Sequence, residues 1–328
     1  MINIVNNCHD PAFNLALEEY ALNRLHLEDK LLIVWQNEPT VVIGRNQNTI
    51  EEVNASYIKE NNIHVVRRLS GGGAVYHDLG NLNFTFIVPN QKKLVTNFRE
   101  FTKPVLATLK SLGVPARFSG RNDLTIQGKK FSGNAQYWSK NRLLHHGTIL
   151  FNSDLSVVQE ALNVKMEKLQ SKGIKSVRSR VTNIYPYLKQ PLETEEFKAL
   201  LLEHILKDKR HGNYELTNED LREIRTLVQK RYSKWDWNYG SSPAFDWERS
   251  RRFPGGNLNL KFNVKNGLIT EMKIFGDFFG KEDVNKLAQA LQGQVYREEA
   301  IKKFLREINF ADYFANLDPE EFLTCLFQ

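Results

Sequence analysis

Hydrophobic residues change their period several times along the chain, and each change marks an element. Asp10-Pro11 reads as a helix start, with Asp as cap and Pro in the first turn. Phe13, Leu17, Tyr20, Ala21 and Leu25 then recur at helical spacing, so one face of this helix is expected on a core. Two short β-rich runs follow, LLIVW at 31–35 and TVVIGR at 40–45. The Asn37-Glu38-Pro39 turn between them predicts a hairpin. A helix over 51–61 and the strand HVVRR come next. Residues 102–112 read as a helix with Val105, Leu106, Leu109 and Leu112 inward and Gly113 ending it. ARFS, DLTIQ, KKFSGNAQYW and HGTILFN are strand candidates. Strands in hairpins mixed with helices predict an α+β layer rather than a regular βαβ alternation.

Periodicity fades over 239–257, YGSSPAFDWERSRRFPGGN, which reads as an interdomain linker. Two strands, NLNLKFNV and ITEMKIFG, and three amphipathic helices near 281–292, 297–308 and 319–327 follow it. The expected organisation is a large domain over 1–246 and a small α+β domain over 247–328. A length of 328 residues allows this split.

Charge and composition narrow the picture only a little. The chain has 45 basic against 38 acidic residues, a net +7 that favours anionic partners without choosing among them. No apolar run is long enough to span a membrane, and the N-terminus lacks the pattern of a signal peptide. The two cysteines, Cys8 and Cys325, make neither a disulfide framework nor a metal cluster, so a reducing cytoplasm is expected. The densest basic run, KMEKLQSKGIKSVRSR at 165–180, contains no aromatic residue. That is unlike a surface that stacks nucleic-acid bases.

Candidate chemistry centres on RRLSGGGAVYHDLGNLNFTFIV, residues 67–88. Arg67 and Arg68 lead into Gly71, Gly72 and Gly73. Glycines allow positive φ and close approach of backbone to a ligand. Bare N–H groups then form a nest for an anion, and arginine binds two of its oxygens. A flexible hairpin loop with solvated arginines reads equally well from these residues alone. The Walker pattern and the G-x-G-x-x-G fingerprint are both absent. Three strand segments also carry polar residues: SGRNDLTIQ, GKKFSGNAQ and HHGTIL. Buried polar groups are costly unless satisfied. Taken singly, Asp123 reads as a turn cap, His146 as a core histidine and Lys130 as a snorkelling strand end. Together with Asn122, Ser132 and Asn134 they are better explained by a site.

With these segments assembled, the chain resembles the lipoate–protein ligase A family, in its long two-domain form. The matching pieces are FNLALEEY, VVIGRNQN, RRLSGGGAVYHDLGNLNFTF, SGRNDL, KKFSGNAQ, HHGTILFN and KGIKSVRSRVTN, in family order over most of 10–185. The resemblance implies a mixed-sheet catalytic module of the biotin/lipoate ligase superfamily and a small α+β C-terminal accessory domain. It implies activation of lipoate by ATP, with Mg²⁺, to lipoyl-AMP. Transfer would follow to a lysine of lipoyl domains in 2-oxoacid dehydrogenases or of the glycine cleavage H protein, in the service of lipoate scavenging. No nucleic-acid or membrane partner is implied.

By the same match, Lys130 would touch both acyl carbonyl and phosphate. Arg68, Gly73, Ala74, Val75, Tyr76, Asn122, Asp123, Lys172 and Arg178 would bind ATP or adenylate, Asp123 standing near the metal. Asn14, Leu15, Trp35, Arg68, Ser70, Gly72, His77, His146 and Gly147 would line the lipoate slot. KGIKSVRSR would close over the adenylate, the alternative being a solvated basic loop. Neither cysteine lies in a matching segment, which disfavours a thioester route. Octanoate is a competing substrate for an apolar slot, biotin a less favoured one. A non-enzymatic basic binding protein is the remaining alternative.

Overall fold

The computed structural model describes residues 1–25, 30–89, 96–139, 141–162, 180–207, 212–239, 247–265 and 267–327. The chain divides into two compact units. The first takes Met1–Val42, Ile50–Arg67 and Val75–Asn238; the second takes Ile43–Thr49, Arg68–Ala74 and Tyr239–Gln328.

Among the described residues, the first unit contains eleven strands: β1 (Ile2–Ile4), β2 (Leu31–Trp35), β3 (Thr40–Ile43), β4 (His64–Arg67), β5 (Val75–His77), β6 (Asn81–Pro89), β7 (Ala116–Ser119), β8 (Asp123–Ile126), β9 (Lys129–Ser139), β10 (Arg142–Leu150) and β11 (Gly212–Tyr214). Eight of them form a sheet in the order β11-β1-β2-β6-β10-β9-β8-β7. β1 runs parallel to β2 and β11, and the other pairs are antiparallel. The sheet is therefore mixed and the fold α+β, as the pattern of elements predicts. A smaller sheet has the order β4-β3-β5.

Strand alternation sorts the large sheet into two faces. Leu32, Val34, Leu82, Phe84, Phe86, Leu124, Ile126 and Phe131 point to one core. The helices Phe98–Ser111 and Thr194–Leu206 cover it with Phe101, Val105, Leu109, Phe197 and Leu201. Leu31, Ile33, Trp35, Ile87 and Leu144 point the other way, under the helix Pro11–Asn23. That helix starts as its sequence predicts: the Asp10 side chain accepts from Phe13 N–H at 2.7 Å, and Pro11 opens the first turn.

The expected 31–45 hairpin does not form. β2 pairs with β1 and β6, while β3 pairs with β5 in the smaller sheet. β2 is buried along its whole length, which suits a central strand with neighbours on both sides. Asn14 Nδ2 donates to Gln36 O at 2.8 Å and to Asn37 Oδ1 at 2.9 Å, so the chain leaving β2 is tied to the first helix. The helix over 51–61 is also interrupted: the Asn54 side chain accepts from Tyr57 N–H and begins a new helix at Ala55.

The second unit carries β12 (Trp247–Phe253), β13 (Gly256–Lys265) and β14 (Leu268–Gly276) in the order β12-β13-β14. Helices Val284–Leu291, Glu298–Arg306 and Pro319–Phe327 pack on it through Leu287, Leu291, Ile301, Leu305, Phe322 and Leu326. The linker expected over 239–257 is thus a strand over its C-terminal part. Its Pro254-Gly255-Gly256 run is the tight turn that pairs Phe253 with Gly256, and Gly256 has φ 145°. The polar residues around it belong to an edge strand with a wet face.

The glycine loop belongs to this second unit. Gly72 N–H donates to Phe278 O at 3.4 Å, and Gly276 N–H to Asn46 O at 2.7 Å. Arg45 Nη2 lies 3.1 Å from Asp283 Oδ2.

Candidate functional site

In the first unit, register builds a polar row across an otherwise apolar face of the large sheet. Trp35 on β2 pairs with Asn83 on β6, and Asn83 with Thr148 on β10. Thr148 Oγ1 accepts from Gly133 N–H on β9 at 3.2 Å, and Gly133 pairs with Asp123 on β8. One step along the strands, Ile33, Thr85 and His146 form a second row. The row runs from an indole at one end to charged groups at the other, across four strand spacings of roughly 4.8 Å each.

A β-bulge delivers the charge. Leu124 pairs with Ser132 but Thr125 pairs with Lys130, so Phe131 is an extra residue in β9. Without it, Lys130 and Gly133 would face opposite sides. With it, they share a face while Phe131 stays in the core. Lys130 Nζ lies 2.8 Å from Asp123 Oδ1. A Cβ on Gly133 would sit 2.8 Å from that nitrogen, so the glycine leaves the space the lysine tip occupies. Backbone bonds hold Lys130 from the other edge as well: its N–H donates to Arg180 O at 2.7 Å, and Thr182 N–H to its carbonyl at 2.9 Å.

The start of β8 is fixed by paired amides. Asn122 Nδ2 donates to Asn134 O at 2.5 Å, and Asn134 N–H and Nδ2 both donate to Asn122 O at 3.0 Å. Asn134 Oδ1 faces His145 Nε2 at 3.3 Å, and Gln136 Nε2 faces His145 Nδ1 at 3.4 Å. His145 is stacked on Phe101 at 4.4 Å and wholly buried. Burial, and after it the neighbouring His146, pushes its pKa well down, so the ring is neutral. Gly147 completes this packing, since a Cβ there would meet Asn134 Oδ1 at 2.3 Å and Phe84 at 2.5 Å.

The other end of the face carries a buried hydrogen-bond chain. Trp35 Nε1 donates to Thr85 Oγ1 at 2.9 Å, and Thr85 Oγ1 donates to Glu18 Oε1 at 2.5 Å. His146 Nδ1 lies 2.9 and 3.1 Å from the two Glu18 oxygens. The His77 ring meets Trp35 edge-on at 5.9 Å, and its Nδ1 lies 3.1 Å from Asn37 Nδ2. Leu15 is buried in the same core. Asn14 braces this end: its Oδ1 accepts from Asn6 Nδ2 at 2.8 Å, and its Nδ2 bonds Cys8 O and the Gln36–Asn37 turn. Val75 and Tyr76 pair with Val42 and Val41 in the smaller sheet. Burial, then Asp78 and Asp154, push the Tyr76 phenol above its usual range, so it stays protonated.

In the second unit, the three loop glycines have three different reasons. A Cβ on Gly71 would strike Phe278 O at 2.3 Å; Gly72 has φ 93°; a Cβ on Gly73 would meet nothing within 4 Å. The first is a packing requirement, the second a backbone one, and the third leaves an open approach. Arg68 is buried and organises the loop: Nε donates to Ser70 Oγ at 3.0 Å, and Nη2 to the carbonyls of Gly71 and Gly73 at 2.7 and 2.8 Å. Ala74 ends this segment.

The structure therefore gathers Lys130, Asn122, Asp123, Trp35, His146 and their neighbours on one unit, and Arg68, Ser70, Gly72, Gly73 and Ala74 on the other. Lys172 and Arg178 lie outside the described residues, as does most of the basic run. Sequence reasoning missed Glu18, Thr85, Asn83 and Thr148. The alternation of Asn81, Asn83 and Thr85 against Leu82, Phe84 and Phe86 was the legible signal, because a polar period-two face on a fully buried strand needs a purpose. Among the described residues, no cluster of three or more His, Cys, Asp and Glu could hold a metal ion. No described helix is long and apolar enough to cross a membrane.

Residues 10–206 fit the lipoyl protein ligase A/B catalytic domain, and 242–326 the bacterial lipoate protein ligase C-terminus. The chain is 48% identical over 324 residues to the lipoate–protein ligase LplJ of Bacillus subtilis strain 168, covering 98% of each. It is similar to the crystal structure of P. falciparum LipL1 in complex with lipoate, with TM-score 0.81, 29% identity, and 99% and 97% of the two chains covered. A lipoate–protein ligase A bound with ATP is similar over 73% of this chain and 98% of that one, with TM-score 0.63 and 27% identity. A bipartite lipoate protein ligase from Thermoplasma acidophilum, studied with its E2 lipoyl domain, is similar over 75% and 98%, with TM-score 0.64 and 30% identity. The chain belongs to the lipoate–protein ligase family.

Proposed function

We propose that this enzyme activates lipoate with ATP and transfers the lipoyl group to a lysine of an acceptor protein. The observation that carries the reading is Lys130, lifted by the bulge over Gly133 and beside Asp123, at one end of a face whose other end holds the Trp35 indole. A carboxylate and a triphosphate repel each other. A cation placed where they meet offsets that repulsion and strengthens as charge builds on the phosphate.

In the first step, a lipoate carboxylate oxygen attacks the α-phosphorus. The bond from that phosphorus to the bridging oxygen breaks, and pyrophosphate leaves. Lys130 donates to the acyl oxygen and the phosphate; Asn122, locked to Asn134, holds Asp123 beside it. In the second step, the acceptor lysine amine attacks the acyl carbonyl, AMP leaves, and the amine loses a proton. Gly73, where a Cβ would meet nothing within 4 Å, and Ala74, Val75 and Tyr76 would offer backbone groups to the nucleotide, as the resemblance implies. Arg68 keeps the loop in shape, a role its bonds to the loop carbonyls support. Lys172 and Arg178 keep the adenylate-binding role that the resemblance implies.

Mg²⁺ fits this residue set in one way. Mg²⁺ typically binds through one or two carboxylates plus substrate phosphates rather than in a protein cage. Asp123 is the carboxylate at hand, and the ion would supply neutralisation of phosphate charge. Lipoyl domains of 2-oxoacid dehydrogenases and the glycine cleavage H protein are the acceptors proposed, with lipoate scavenging as the role.

The test is pyrophosphate release with ATP, Mg²⁺ and lipoate, followed by lipoylation of a purified lipoyl domain. Release that requires both substrates supports the reading; no release refutes it. Octanoate is the second substrate to test, because an apolar slot separates similar chains weakly.

A further inference from the structure

Asn83 stands between Trp35 and Thr148 in the polar row, with only 2% of its surface exposed. Its Oδ1 accepts from Asn81 Nδ2 at 3.0 Å. Its Nδ2 is buried and has no hydrogen-bond partner among the described residues. Asn81 Oδ1 is in the same state. A buried amide N–H left bare is costly, and an aliphatic residue would avoid the cost. Ile87 shows that this face of β6 accepts one further along the same strand. The polar choice at 83 therefore calls for a partner that the described residues do not supply.

Its place along the face points to that partner. Gly133 and Asn83 are two strands apart, roughly 10 Å. A carboxyl group held by Lys130 over Gly133 sends its acyl chain past Thr148. The far end of a medium-length chain then reaches Asn83 and Trp35.

We propose that Asn83 is a specificity-determining residue whose amide N–H meets a sulfur of the lipoyl ring and so favours lipoate over a saturated acyl chain. The proposal rests on the reading of this chain as a lipoate-activating enzyme and adds how it tells lipoate from its look-alikes. Sulfur is a weak hydrogen-bond acceptor, and a methylene accepts nothing. A saturated tail buries similar apolar area but leaves the N–H bare. Discrimination then comes from penalising the wrong ligand as well as from rewarding the right one. The Trp35–Thr85–Glu18–His146 chain cannot provide it, since Trp35 Nε1 and Thr85 Oγ1 already have partners.

The experiment measures kcat/KM for pyrophosphate release with lipoate and with octanoate, in the wild type and in Asn83→Leu. The lipoate-to-octanoate ratio is expected to fall about tenfold in the variant, lipoate losing and octanoate gaining. An unchanged ratio overturns the proposal, whatever the absolute rates do. That is the result if the amide only braces the strand or holds a buried water. If the wild type releases pyrophosphate with neither acid, the ligase reading fails and this proposal falls with it. Should Asn83→Leu not fold, calorimetry on the wild type replaces it. Lipoate is compared with cyclopentylpentanoate, which has carbon in place of both ring sulfurs. About tenfold weaker binding of the carbon analogue is expected, and equal affinity overturns the proposal.

Discussion

Lys130 owes its position to a single extra residue, Phe131, in β9. Regular alternation would have placed Lys130 and Gly133 on opposite faces. Lys130→Ala should leave the fold intact, because the side chain is over a third exposed and sits outside the hydrophobic core. Pyrophosphate release should fall by about 10²–10³; a rate near that of the wild type would remove the lysine from the chemistry. Lys129→Ala should be much milder, since its side chain points to the other face. Gly133→Ala gives a finer test. The new Cβ would meet the flexible Lys130 tip at 2.8 Å and push it aside. Stability should change little, while release drops on the order of 10²-fold, because displacement by about an ångström has that effect on a reacting geometry. Equal melting temperatures with equal rates would refute the shared-face argument.

At the scale of elements, the glycine loop and its supports are the informative case. Gly72 has φ 93°, a conformation that a β-branched residue hardly adopts. Gly72→Val should therefore weaken binding of a stable lipoyl-adenylate analogue; titration calorimetry reads this, and unchanged affinity would favour a plain hairpin. Asp283 pairs with Arg45, whose N–H donates to Ser70 O in the loop at 2.9 Å, and also caps the helix Val284–Leu291, accepting from Asn285 N–H at 2.9 Å. Two variants separate the roles. Asparagine still caps, so Asp283→Asn should cost about 0.5–1 kcal/mol for the partly exposed ion pair. Asp283→Ala loses the cap as well and should cost about 1 kcal/mol more. Urea midpoints give both numbers, and equal losses would mean that the cap contributes nothing.

At the scale of the whole molecule, His145 links the cores to pH. It is wholly buried among Phe84, Phe98 and Phe101, with its pKa well below the ordinary 6.5. The unfolded chain therefore binds a proton near pH 6.5 that the folded chain refuses. The unfolded state holds more protons in that window, so stability rises with pH across it. The histidine's contribution is complete above about 6.5 and is lost as pH falls from there toward the lowered folded value. Urea midpoints at pH 7.5 and 5.5, measured on the wild type and on His145→Gln, should show a steeper fall for the wild type. Parallel curves would mean that another group carries the acid sensitivity.

The sequence alone determined what depends on neighbours along the chain. Asp10 and Pro11 start a helix because capping is local. ARFS, DLTIQ, KKFSGNAQYW and HGTILFN read as strands from their own composition and are β7 through β10. Gly, Arg and Lys in their motifs resemble one family closely enough to name it. Three things needed the tertiary structure. The 31–45 segment looked like a hairpin, but a strand buried on both faces recruits partners from β1 and β6, which no local turn signal reveals. The Pro-Gly-Gly run near 255 looked like a linker, yet its role as a turn depends on β12 finding β13. The polar row from Trp35 to Asp123 exists only in the register of five strands, and its lysine only through a bulge. The sequence lists these residues in five separate places, and long-range pairing is what brings them to one face.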